Sequence, residues 1–182
     1  MPSGLEPNRL AGFPQPRIRL RTDAAVGFLG EARVMERVLI ACDGSDGSRE
    51  ALEQGLELAR AAEAAATLVY VRHAPLPLVG DPFYERALSR ELRRGRDVLD
   101  EARAVAAAEG VAAETELLEG DPAERIVELA RLRGADLIVV GCRDRGAIAE
   151  ALLGSVSRAI VHDADRPVLV AKRRARRNRR AA

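Results

Sequence analysis

Two loops carry residue types that could hold a ligand by its sugar and its phosphates. Asp43 opens the stretch DGSDGS (43–48), directly after the apolar run RVLIAC (37–42). An ionised carboxylate at the end of a strand can accept both hydroxyls of a ribose. It can equally close a turn or cap the helix that follows. The second loop lies within VGCRDRGAIAEALLGSVS (140–157). Gly141 ends an apolar run, and a missing Cβ lets a ligand approach the backbone closely. Gly154 and Ser155 follow about thirteen residues later. A helix starting near Gly154 would offer a phosphate its first N–H groups and the positive end of its dipole, with the Ser155 hydroxyl as a further donor. A helix that continues through Leu152 and Leu153 would instead make Gly154 a tolerated interior glycine. The spacing leaves both open.

Asp144 stands between the two ends of this loop. Its carboxylate opposes a polyphosphate: at ~4 Å, like charges repel by about 1 kcal/mol in water and about 4 kcal/mol at an effective dielectric of 20. Arg143 and Arg145 offer it partners, and Gly146 offers the loop freedom. The carboxylate could also help to hold Mg²⁺. Other chemistry is not encoded. No GxGxxG follows the first apolar run, no GxxxxGK[ST] occurs, and no serine sits in a GxSxG elbow. His73 and His162 are scattered, and Cys42 and Cys142 make neither a metal pattern nor a disulfide framework. The two cysteines follow strands expected to be neighbours, so a thiol pair is conceivable; two inert small residues are the plainer reading.

Alternating strand and helix patterns position these loops. RVLIAC reads as a buried strand, and Ser48 as the N-cap of a helix over 49–65, where Leu52, Leu56, Leu58 and Ala59 recur at helical spacing. TLVYV (67–71) is the second strand, followed by a loop with Pro75, Pro77 and Pro82 and a long helix over 84–109. AAETELLE (112–119) alternates and suits an edge strand. In GDPAERIVELARLRG, Asp121 caps a helix, Pro122 suits its first position, and Gly134 stops it. ADLIVVG (135–141) is the most apolar strand and is expected at the centre; a helix over 147–162 and the strand PVLVA (167–171) complete the pattern. Such alternation implies an α/β fold of parallel strands, right-handed crossovers and helices on both faces. Ligands in such sheets bind beyond the carboxyl ends of the strands, where the strand order reverses.

Composition agrees with a globular body. Apolar residues make up 47% and charged residues 31%, while aromatics are only 3%. So few aromatics argue against recognition of single-stranded nucleic acid by stacking. The net charge of +1 hides a split: residues 37–171 carry 17 basic and 24 acidic groups, whereas KRRARRNRR (172–180) carries seven basic groups alone. The acidic body does not suit duplex binding, and the basic tail reads as a solvated, disordered segment. Residues 1–36, with four prolines and no periodicity, read as a disordered extension, and Met35 is a candidate start. No apolar run nears the roughly 20 residues of a membrane span. With no signal-peptide core either, a cytoplasmic location is expected.

From Arg37 to Lys172 the chain resembles the universal stress protein family. The resemblance rests on RVLIACDGSDGSREAL, GDPAERIVELA, ADLIVVG and, most specifically, LLGSVSRAIVHDADRPVLVAK. It implies a Rossmann-like five-stranded parallel sheet of order 3-2-1-4-5, residues 173–182 forming a tail. The nucleotide-binding members share a signature of Gly, two residues, Gly, nine residues, Gly and Ser or Thr. Gly141, Gly154 and Ser155 match it, and Asp144 replaces the second glycine. Carried over, Asp43 lies near the adenosine, Ala41 stands where proline is common, and Val71 meets the base. Val140 and Gly141 meet sugar and base, Ser155 and Val156 the phosphates, and Arg143 lies beside them. The resemblance implies an ATP-binding or other adenine-nucleotide-binding sensor or regulator of stress responses, with Mg²⁺ and at most slow hydrolysis. It also implies a homodimer through the strand Pro167–Ala171, and regulatory protein partners. The alternatives are a nucleotide-free dimeric interaction module, to which Asp144 and Ala41 point, and a binder of a less charged ligand such as a cyclic nucleotide.

Overall fold

A computed structural model describes residues 34–72, 82–142 and 154–172. The expected N-terminal extension up to residue 33, the proline-bearing loop, Arg143 and Asp144, and the basic tail lie outside the described residues. Among the described residues nine elements follow in strict alternation: β1 (Arg37–Ala41), α1 (Asp46–Ala61), β2 (Ala65–Arg72), α2 (Pro82–Ala108), β3 (Ala113–Glu119), α3 (Pro122–Leu132), β4 (Leu137–Gly141), α4 (Ser155–Asp163) and β5 (Val168–Ala171). The strands form one sheet of order β3-β2-β1-β4-β5, and every neighbouring pair is parallel.

β1, not β4, takes the centre; β4 lies between β1 and the edge strand β5. An apolar run records cover on both faces, a condition that both strands meet. Ile40 pairs in register with Leu68 of β2 and with Val139 of β4. The period of two sends alternate residues to opposite cores. Val38, Ile40, Leu68 and Tyr70 pack with α1 and α2, while Leu39, Val69, Ile138 and Val140 pack with α3 and α4. The outer strand β3 carries Glu114 and Glu116, both paired with Arg133, and charge on an edge discourages further pairing.

Caps fix where the helices meet the strand ends. α1 starts earlier than the sequence suggests: Ser45, not Ser48, is its N-cap, with Ser45 Oγ accepting the Ser48 N–H at 3.2 Å. The cause lies two residues before. Asp43 accepts the Ser45 N–H at 2.9 Å, and this turn hands the chain to the helix at Asp46. Ser48 is buried in the first turn and its hydroxyl donates to Ser45 O at 3.1 Å. Asp121 caps α3 as expected, accepting from Ala123 N at 3.0 Å and Glu124 N at 3.1 Å. Gly134, at φ +62°, takes the left-handed conformation just past that helix.

Candidate functional site

The carboxyl ends of β1, β2 and β4 and the N-termini of α1 and α4 border a cavity of about 550 Å³. It lies where the strand order reverses: from β1 the chain crosses first to β2 on one side and later to β4 on the other. Ala41, Asp43, Val71, Val140, Gly141, Gly154 and Val156, all singled out from the sequence, line it. Ser155, between two of them, is the exposed first residue of α4.

Gly154 has φ −57° and ψ 161° and is the N-cap of α4, so the helix begins at this glycine and does not run through it. As a glycine, Gly154 has no side chain with which to cap this end, and among the described residues none does so. The first N–H groups of a helix lack partners within it and, with the helix dipole, favour an anion. Ser157 is buried behind them, its hydroxyl donating to Gly154 O at 3.1 Å.

Gly141 serves a purpose that the sequence does not reveal. A Cβ there would lie 2.4 Å from the carbonyl carbon and oxygen of Gly47 and 2.7 Å from Ser48 N. A Cβ on Gly47 would lie 2.3 Å from Cys142 O. The space expected to admit a ligand is thus filled by the first turn of α1. Two glycines 94 residues apart let helix and strand end touch backbone to backbone, and this contact fixes the cavity wall.

Asp43 is exposed at the mouth, and its bond to Ser45 N makes it a turn residue as well as a cavity residue. Cys42 behind it is buried. Burial first, and then the neighbouring Asp43 charge, push its thiol up to about 12. A protonated thiol is a poor nucleophile, so Cys42 acts as a small apolar residue at neutral pH. Cys142 is buried and lines the same cavity. His162 lies away from the cavity, exposed in α4, its Nδ1 2.6 Å from Asp163 Oδ1. Among the described residues no group of three or more His, Cys, Asp and Glu could hold a metal. The described donors therefore do not form an all-protein Mg²⁺ cage; Mg²⁺ in phosphate sites commonly rests on one or two carboxylates plus the phosphates. Among the described residues no helix is long and apolar enough to cross a membrane.

Sequence reasoning missed Tyr70, Arg72, Glu91 and Arg94, which also line the cavity. Tyr70 carried a weak signal as one of two tyrosines, set beside Val71. Glu91 and Arg94 carried none, since charges lie all along α2. Burial is the main influence raising the Tyr70 phenol above its usual range, with Arg94 opposing and Glu91 and Asp43 adding to it.

Comparison with known proteins agrees with this architecture. The chain is 40% identical over 141 residues to a universal stress protein of Thermus aquaticus, an alignment spanning 76% of this chain and all of the relative. A universal stress protein solved in complex with cAMP superposes with a TM-score of 0.62 at 26% identity, over 77% of this chain and 99% of its own. An Arabidopsis thaliana family member solved with AMP bound gives 0.59 at 25% identity, over 77% and 93%. Residues 35–172 match the universal stress protein family as a whole, and the chain belongs to that family.

Proposed function

We propose that the chain binds an adenine nucleotide, ATP foremost, in the cavity at the carboxyl ends of β1 and β4, and that occupancy regulates a stress response in the cytoplasm. One arrangement carries the reading: the glycine-started N-terminus of α4 borders the same cavity as Asp43 and Val71. A helix end that favours an anion and a carboxylate able to accept ribose hydroxyls support a single nucleotide ligand. The relatives solved with cAMP and AMP support an adenine ligand. In this reading Val71 and Val140 flank the base and sugar, Gly154 to Val156 face the phosphates, and Arg143 adds positive charge. Mg²⁺ accompanies the phosphates and neutralises part of their charge. In this reading hydrolysis is slow at most and the nucleotide acts as a signal.

The test is to denature the purified chain, identify any released nucleotide, and compare ATP, AMP and cAMP by thermal shift. Stabilisation by ATP supports the reading; none by any of the three contradicts it. The relative bound to cAMP favours a second reading, a cyclic mononucleotide whose single negative charge suits Asp144 better. A clear preference for cAMP over ATP would select it. Failure of all three leaves the nucleotide-free interaction module.

We also propose a homodimer through Pro167–Ala171 that presents its surface to regulatory protein partners. Val168, Leu169 and Val170 of this edge strand are only half-buried in the single chain, and an apolar edge needs cover. Sedimentation equilibrium showing a monomer at micromolar concentration would contradict this.

A further inference from the structure

A nucleotide held by its phosphates and its sugar has one direction left for its base. In the proposed reading, on which this inference rests, the phosphates meet the start of α4, which follows β4, and the ribose meets Asp43, which follows β1. In the sheet β1 stands between β4 and β2. Neighbouring strands lie about 4.8 Å apart. A nucleotide laid across the strand ends in that order brings its base to the end of β2. There the cavity is lined by Tyr70, Val71 and Arg72 of β2, and by Glu91 and Arg94 of α2.

Gly95 brings α2 to this end of the cavity. A Cβ on Gly95 would lie 2.3 Å from Leu117 Cδ1 and 2.9 Å from Tyr70 Cδ1. The glycine lets the helix close on β2 and β3, and so carries Arg94 and, one turn earlier, Glu91 to the cavity wall. After burial, the charges of Arg94, Glu91 and Asp43 are what act on the Tyr70 phenol, which gathers these groups around one end of the cavity.

The chemistry of these side chains selects the base. Val71, Val140 and Ile126 offer apolar cover to its flat faces, but its polar edge needs partners of its own. Arg72 is engaged by Glu119 through Nη2. Glu91, half-buried, and Arg94, exposed, stand three residues apart on one helix, a spacing that places side chains as neighbours. A carboxylate only accepts hydrogen bonds, and a guanidinium only donates them. Adenine carries an amino donor beside a ring-nitrogen acceptor, whereas a 6-oxopurine carries an acceptor oxygen at the amino position. A carboxylate takes the first and repels the second. We infer that Glu91 is the specificity-determining residue of the cavity: it accepts from the adenine amino group while Arg94 donates to the ring nitrogen beside it, so that 6-aminopurines are chosen over 6-oxopurines.

The test titrates the full chain, freed of co-purifying nucleotide, with ATP and with ITP, whose base carries an oxygen where adenine has its amino group. The parent should bind ATP about tenfold or more tighter than ITP, the size of a hydrogen bond to a charged group. Glu91→Gln should bring the two affinities close together, because an amide both accepts and donates. A merely structural Glu91 would lower both affinities alike and leave their ratio where it was. Arg94→Gln should weaken ATP by about threefold or more, and an unchanged affinity would overturn its part in the assignment. Equal binding of ATP and ITP by the parent, or a ratio that Glu91→Gln does not move, would overturn the assignment while leaving the nucleotide reading intact. Binding of neither nucleotide would overturn both.

Discussion

Replacing Gly141 by alanine separates a packing glycine from a ligand glycine. The new Cβ would sit 2.4 Å from the Gly47 carbonyl and 2.7 Å from Ser48 N. Optimal contacts between carbon atoms lie near 3.5–4.0 Å. All the atoms in the way are backbone, so no side-chain rotation relieves the overlap and the first turn of α1 must retreat by about 1 Å. Overpacking of this kind costs about 1–3 kcal/mol. The retreat also stretches the Ser45 cap, already 3.2 Å from Ser48 N, and losing a cap adds about 1 kcal/mol. The total is roughly 2–4 kcal/mol. At roughly 2–4 °C per kcal/mol for a chain of this size, the melting temperature falls by about 5–15 °C. Scanning calorimetry of the nucleotide-free chain measures it. Gly47→Ala, which meets Cys142 O at 2.3 Å, should fall comparably, and the double variant by less than the sum, because both overlaps are relieved by one shift. A Gly141→Ala chain that melts like the parent yet no longer binds nucleotide would refute this reasoning and return the glycine to the ligand.

Three further outcomes follow from named contacts. Ser45→Ala should lose about 1 kcal/mol, seen as an earlier chemical-denaturation midpoint with unchanged slope. Cys42 gives an alkaline dependence: its thiol is raised from 9.0 to about 12 in the fold, so the stability it contributes is full below pH 9 and is lost as pH rises towards 12, by up to about 1.4 kcal/mol per pH unit. Denaturation measured from pH 8 to 11 should show a shallower fall in Cys42→Ala; an identical fall would rule out Cys42 as its source. Asp144→Gly should tighten ATP binding by about fivefold or more if the carboxylate faces the phosphates, since about 1 kcal/mol of repulsion is the lower bound at ~4 Å. Calorimetry of variant and parent reads it, and equal affinities would mean that the charge is turned away or neutralised.

The parts of the fold that local sequence dictates were legible. The apolar runs of β1 and β4, the Asp121–Pro122 start of α3 and the stop at Gly134 each follow from burial or capping within a few residues. The start of α1 was misread because DGSDGS offers two serines at cap-compatible positions. Which one caps depends on the turn that Asp43 closes with Ser45. Apolarity alone pointed to β4 as the centre, because β1 and β4 share the same apolar character; the order 3-2-1-4-5 implied by the resemblance is the one observed. At the site, Asp43 and Gly154 could be found from their position and spacing, and Val71 and Val140 only through the family resemblance. The partner of Gly141 could not, because Gly47 lies 94 residues away in the chain and nothing local marks the contact. Tyr70, Glu91 and Arg94 escaped for the same reason. Gly95 brings α2 down on β2, and a glycine inside a charged helix reads as a mere weakness until its neighbours are known.

The central claim is that the cavity between the strand ends takes an adenine nucleotide. Isothermal titration of the full chain, freed of co-purifying nucleotide, with ATP and Mg²⁺ tests it most directly. The account predicts a saturable heat that Asp43→Asn reduces. That variant keeps an acceptor for Ser45 N–H but removes the charge facing the ribose, so affinity should fall by roughly tenfold. No heat up to millimolar ATP, in a chain that melts cooperatively, would contradict it.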